Sequence, residues 1–101
     1  MTLGHENGDD WWIYLIRTNK GQLYCGISKN IKRRFMEHTS GKGAKYLRGK
    51  SPLTLVWHQW IGDHSLALRC ECAIKRLPKK KKEQLICDPC CFTKIYSVFC
   101  E

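Results

Sequence analysis

Hydrophobic and polar positions fall into two different rhythms near the start of the chain. Trp12-Ile13-Tyr14-Leu15-Ile16 and Leu23-Tyr24-Cys25-Gly26-Ile27 are rich in aromatic and β-branched residues, the make-up of half-buried strands. The polar Asn19-Lys20-Gly21-Gln22 separates them. The pair predicts a β-hairpin, with Gly21 able to supply the positive φ of a tight connection. A period of two places Trp12, Tyr14 and Ile16 on one face of the first strand. The same period puts Tyr24 and Gly26 together on the second. The rhythm then changes to a helical one. Ile31 and Phe35 form an i, i+4 apolar pair and Arg34 and His38 form another, which predicts a helix capped by Ser28 or Asn30. Hairpin and helix together can aim two phenols, a guanidinium and an imidazole at one place.

Residues 40–51, SGKGAKYLRGKS, are polar and glycine-rich and carry Lys42, Lys45, Arg48 and Lys50. Residues 44–48 have room for one helical turn, and Gly41 and Gly43 allow backbone to approach a ligand closely. The stretch reads either as a phosphate-contacting loop or as a solvated connection. Pro52 then breaks the chain before a third strand at residues 53–61, LTLVWHQWI. Gly62 and Asp63 end that strand, and Asp63 is a ready N-cap for a helix over residues 64–77. Leu66, Ala67, Cys70, Ala73, Ile74 and Leu77 give this helix a wide apolar stripe. Glu71 sits at the edge of the stripe, where a carboxylate is costly unless a cation meets it. A pairing with Lys75 at i+4 is the plainest account of it. Pro78 stops the helix, and residues 79–84 open another that ends near Ile86.

Charge changes the picture more than length does. The 101 residues support one small domain, and a hydrophobic share of 43% is too high for a disordered chain. A net charge of +9 points to a polyanionic partner such as nucleic acid or an anionic membrane surface. No apolar run approaches the length of a membrane span, and the N-terminus lacks signal-peptide regions. Seven cysteines, an odd number, without a secretion signal point to reduced thiols in a cytoplasm. Cys25, Cys70 and Cys72 fall within predicted elements and are expected to pack as small apolar residues. Residues 1–10 read as a mobile leader, residues 11–86 as the domain, and residues 87–101 as a Cys-rich tail. Within that tail Cys87 and Cys90 have the gap of a zinc half-site, which Cys91 or Cys100 could help close. With no second paired half-site, free thiols are the favoured reading over structural zinc. Phe92, Ile95, Tyr96, Val98 and Phe99 leave the tail an apolar end that either packs or frays.

Trp12-Ile13-Tyr14, Tyr24-Cys25-Gly26, Arg34 and His38 together resemble the GIY-YIG nuclease superfamily, over roughly residues 11–86. In that family an Arg follows the second Tyr by ten residues and a His or Tyr follows the Arg by four, as Arg34 and His38 do here. Within it the chain is similar to the short, single-domain bacterial members, in which GKGAK and LTLVW stretches recur. Trp12 replaces the name-giving Gly, Cys25 replaces Ile, and Ile27 stands where some members carry Lys. The element order suggests a small α/β sandwich. The resemblance implies an α+β domain with a three-stranded antiparallel sheet flanked by helices, with Tyr14, Tyr24, Arg34 and Glu71 lining one concave face.

The resemblance further implies a DNA endonuclease, acting on damaged, branched or recombination and repair DNA. Phosphodiester hydrolysis needs an activated water, charge stabilisation on the phosphoryl oxygens and help for the leaving oxygen. One carboxylate and several waters suit Mg²⁺ or Mn²⁺, and Glu71 is the ligand the resemblance assigns. Arg34 offers a planar fork to nonbridging oxygens. Tyr14 is the favoured base with Tyr24 orienting, and His38 is the other residue able to take the proton. DNA is the expected partner, with no small-molecule cofactor. A non-catalytic nucleic-acid-binding domain, using Lys42, Lys45 and Arg48 and needing no Glu71, is the alternative.

Overall fold

The computed structural model describes residues 10–88 and 90–99, the last two of these by backbone alone. The leader expected before Asp10, the thiol of Cys100 and the packing of Val98 and Phe99 lie outside what is described. The hairpin forms as β1 (Trp11–Arg17) and β2 (Leu23–Ser28), joined through Gly21 at φ +84°. A third strand, β3 (Thr54–Gly62), pairs with the other edge of β1. The sheet order is β2-β1-β3, both pairings antiparallel. This is the three-stranded antiparallel sheet expected, with β1 at its centre.

Parity along β1 divides the molecule. Ile13 and Leu15 point to one face, where they meet Ala67, Cys70 and Ile74 of α2 (His64–Lys75). The same core takes in Leu85 of α3 (Lys79–Cys87) and Phe92 of α4 (Cys90–Phe99). Tyr14 and Ile16 point the other way, toward Ile31 and Phe35 of α1 (Ile31–Thr39) and Leu47 of a 3₁₀ turn at Lys45–Leu47. The sheet is therefore covered on both faces, as the near-continuous apolar run of β1 requires. No described helix is long and apolar enough to cross a membrane.

Local chemistry sets the boundaries. Asn30, rather than Ser28, caps α1 by accepting from the Arg33 N–H at 3.0 Å. Asp63 caps α2 through the Leu66 N–H at 2.8 Å. The Cys-rich tail does pack: Phe92 is 6% exposed, with its ring 5.4 Å from Trp57 and 5.5 Å from Tyr96. Cys25 and Cys70 are buried as expected, but Cys72 is exposed. Two residues after Cys70 is just over half a helical turn, so when Cys70 faces the sheet Cys72 must face away. Arg17 grips Glu83 with two bonds of 2.6 and 2.8 Å, tying the end of β1 to α3.

Candidate active site

Tyr14 lies opposite Gly26 of β2 in the register, and its ring is laid across that glycine toward the sheet edge. A Cβ at Gly26 would stand 2.5 Å from the Tyr14 hydroxyl. The glycine is thus required by the tyrosine paired with it rather than by its own backbone angles. Tyr24 comes from two pairs further along, opposite Ile16, and so shares the face of Tyr14. Its ring meets the His38 imidazole edge-on at 5.6 Å and stacks on Tyr46 at 5.8 Å.

His38, near the end of α1, is 2% exposed. The chain after α1 folds back over it: the Lys42 and Gly43 N–H groups donate to the Glu37 carbonyl at 2.9 and 3.0 Å. A side chain at Gly43 would collide with His38 Nδ1, so the loop closes only because that residue is glycine. The closure brings the Ala44 N–H to His38 Nδ1 at 3.2 Å. A backbone N–H can only donate, so Nδ1 is an acceptor and the ring proton resides on Nε2. Nε2 therefore donates to the Tyr14 hydroxyl oxygen, 3.0 Å away. Neither ring nitrogen has a lone pair open to water in this arrangement. Burial, and after it the charge of Arg34, hold the His38 pKa below its usual value, which keeps the ring neutral near pH 7.

Arg34, one turn before His38, stands beside the same Tyr14 oxygen. Burial first, and then the neighbouring Tyr24, push the Tyr14 pKa up, while the charge and hydrogen bonding of Arg34 pull it down. Burial wins, so Tyr14 is a neutral phenol at rest. Glu37, which no sequence pattern singled out, receives the Arg34 Nη1 at 2.9 Å and the Arg33 Nε at 3.4 Å. It fixes the guanidinium and leaves its other nitrogens unengaged by that bond. Arg33, Arg34, Lys29 and Glu37 line a hollow of about 360 Å³ beside Ile27 and Trp11 at the β2 edge.

Glu71 projects from α2, on the opposite side of the sheet from Tyr14. Tyr14, Tyr24, Arg34 and His38 converge on the α1 side, and Glu71 approaches the same edge strand from behind. Its place at β2 is marked by Cys25, whose thiol is raised to about 12 first by burial and then by the Glu71 charge. The Glu71 side chain is 18% exposed and pairs with Lys75 at 3.3 Å. That pairing is the plain account expected from the sequence, and Lys75, itself 53% exposed, is free to swing away. A hard, partly shielded carboxylate of this kind fits a Mg²⁺ or Mn²⁺ ion completed by waters and phosphate oxygens. Among the described residues no three His, Cys, Asp or Glu side chains cluster as a metal site. Cys87 and Cys90 are exposed and Cys91 half-buried.

Of the basic loop, Lys42, Lys45 and Arg48 are exposed. Arg48 Nε donates to the Gly41 carbonyl at 3.1 Å, and Lys50 lies 3.5 Å over the Tyr46 ring. The loop thus has two jobs in one segment, closing on His38 with its backbone and presenting cations outward.

Comparison with known proteins places the chain in a family. Residues 10–84 match the GIY-YIG catalytic domain family. The chain is similar to UPF0213 protein YhbQ of Escherichia coli strain K12, at 49% identity over 87 residues, covering 86% of this chain and 87% of that protein. YhbQ of E. coli O1:K1 is 48% identical over the same span. Among solved structures, UPF0213 protein BH0048 from Bacillus halodurans is similar at 38% identity and a TM-score of 0.51. EF2693 from E. faecalis is similar at 33% identity and a TM-score of 0.55. Each likeness covers 76% of this chain and 82% of the other. With both the family match and the paired tyrosines in place, the chain belongs to the GIY-YIG family and is similar to the UPF0213 proteins within it.

Proposed function

We propose that the chain is a divalent-metal-dependent DNA endonuclease that hydrolyses phosphodiester bonds in damaged, branched or repair-type DNA. The observation that carries this reading is the His38 Nε2–H bond to the Tyr14 phenol oxygen, with the Arg34 charge acting on the same phenol beside a cationic hollow. A donor and a cation so placed stabilise negative charge where it would develop. Tyr14 first gives its phenolic proton to solvent, and the resulting phenolate takes the proton of the attacking water, which Tyr24 orients. A free phenol at pH 7 costs about 4 kcal/mol to ionise, and burial raises that cost for Tyr14. His38 and Arg34 oppose it directly. His38 acts as a positioning residue and not as the base, because its Nδ1 is held by the Ala44 N–H and its Nε2 already carries the proton.

Arg34 presents its remaining guanidinium face to the nonbridging phosphate oxygens, steadied by Glu37. Lys42, Lys45, Arg48 and Lys50 track the backbone further out. Glu71 would hold Mg²⁺ or Mn²⁺, which when bound polarises phosphoryl oxygens and acidifies water. Exposed thiols at Cys72, Cys87 and Cys90 suit a reducing cytoplasm.

The deciding experiment is Glu71→Gln, assayed for cleavage across Mg²⁺ concentrations and for binding by gel shift. Cleavage should vanish while binding persists or tightens, since a carboxylate that repels phosphate is gone. If Glu71 serves only Lys75, a surface i, i+4 pair worth about 0.3–0.5 kcal/mol, cutting will survive and the metal assignment ends. Wild-type protein that binds DNA but never cuts it at any Mg²⁺ concentration is a binding domain instead.

A further inference from the structure

Two hollows flank the start of α1. The cationic one holds Arg33, Arg34 and Glu37. The other, about 540 Å³, opens between α1 and the β1–β3 pair and is walled by Trp12, His58, Leu55, Ile31 and Phe35. That volume falls in the range of sites that hold small ligands, about 300–1,000 Å³. Trp12 and His58 form one aromatic wall of it, their rings in tilted contact with centroids 5.5 Å apart at 60°. Lys32 adds an exposed cation to the rim. Lys29 and Asn30 line both hollows and join them.

An aromatic hollow and a cationic hollow meeting at one rim match the two halves of a nucleotide, a flat base and its phosphate. Trp12 precedes Tyr14 by two residues on the same face of β1, a rise of about 6.8 Å. A base held against Trp12 thus keeps its backbone within reach of Arg34 and the Tyr14 cluster. We propose that this groove receives an unpaired nucleobase of the bound strand, stacked against Trp12 and His58, with the neighbouring phosphate held by Lys29, Arg33 and Arg34. A base within a duplex is stacked on its neighbours and cannot enter, so the groove selects flapped, single-stranded or extrahelical nucleotides over fully paired DNA. An apolar peptide would leave the shared Lys29, the adjoining arginines and the net charge of +9 without a partner. The inference rests on the nuclease reading for its substrate class, and it adds the feature of that substrate which is recognised.

The test measures binding without divalent ions, so that affinity is read apart from cleavage. Three oligonucleotides are compared: a duplex with a one-nucleotide flap, the same duplex with an abasic flap nucleotide, and a blunt duplex. Wild type should lose about tenfold in affinity when the flap base is removed, the scale of one base–aromatic stack. His58→Ala, at an exposed position, and Trp12→Leu should bind the flap about tenfold more weakly than wild type. Both should be indifferent to removal of the base and should bind the blunt duplex normally. Variants that still distinguish base from abasic site as wild type does, or that weaken equally on blunt DNA, overturn the proposal. Parallel assays with Mg²⁺ separate the two readings. Base-dependent binding without any cutting sinks the nuclease and leaves the groove; cutting with no base dependence does the reverse.

Discussion

The two faces of β1 use the same strand for opposite purposes. Toward α2, Ile13 and Leu15 meet Ala67, Cys70 and Ile74, and every one of these is 0% exposed. Toward α1, the equivalent depth holds a phenol and an imidazole, Tyr14 and His38, each 2% exposed. Among the described residues, every polar side-chain atom buried this deeply has a hydrogen-bond partner. The apolar face needs only volume and shape, and it tolerates exchange among residues of similar size. The polar face needs directed donors, and each is supplied by an element that has no other reason to be so close. Gly26 yields to the Tyr14 ring, and Gly43 lets the loop reach Nδ1 of His38. Apolar packing is concentrated behind the sheet and directed polar contacts in front of it, while Glu71 reaches the β2 edge from behind.

That division is broken or sharpened by paired substitutions. Arg34→Ala removes a donor aimed at developing charge, a change that typically costs about 2.7–4 kcal/mol of barrier, or a hundred- to a thousandfold in rate. Its thermal midpoint should barely move, because the side chain is 39% exposed and its ion pair with Glu37 is a surface one. Arg34→Lys should recover only part of the rate, since an ammonium lacks the planar fork. The mirror experiment is Ile74→Ala behind the sheet, where a buried large-to-small change costs about 2–5 kcal/mol of stability. Urea unfolding should record that loss, while cleavage per folded molecule stays near wild type. A folded fraction of Ile74→Ala that cuts a hundredfold more slowly would show the two faces to be coupled, and the division would fail.

The architecture was readable in advance because periodicity carries it. Alternation placed Tyr14 and Tyr24 on one surface, and the i, i+4 pairs of α1 placed Arg34 beside His38. The caps were written in single residues, Asn30 and Asp63. What alternation could not give was which side of the sheet each later helix covers. Glu71 projects from the helix on the far side of the sheet from Tyr14 and reaches the β2 edge beside Cys25. Glu37 was invisible for a related reason, since an acidic residue on a basic helix reads as an ordinary surface pair until its partner proves to be Arg34. Likewise Gly43 read as a ligand-approach glycine and Gly26 only as a strand position, whereas each is small because a particular side chain, His38 or Tyr14, occupies the space its Cβ would take. The groove at Trp12 and His58 needed three dimensions, because it is assembled from β1, β3 and α1 at once.

The smallest expected effect concerns pH. Burial and the Arg34 charge lower the pKa of His38 in the folded chain, and protonating Nδ1 would also set an N–H against the Ala44 N–H. In the unfolded chain the same imidazole takes a proton near pH 6.5. Below that value the unfolded state binds a proton which the native state refuses, so acidification favours unfolding. The His38 contribution is fully present above about pH 6.5 and is lost as pH falls toward the folded pKa. One group limits the slope to about 1.4 kcal/mol per pH unit. Glu37 and Glu83, held low chiefly by their arginine partners, add slope of the same sign only at pH values approaching the carboxylate range. The window from pH 6.5 to about 5 therefore isolates the histidine. Denaturant titrations of wild type should show stability declining across that window, and His38→Gln, which cannot titrate, should flatten the decline while lowering stability at pH 7. A variant whose pH slope stays as steep as wild type would mean that the imidazole already carries its proton in the native cluster. The Nε2–H donor to Tyr14 would then no longer come from a neutral ring.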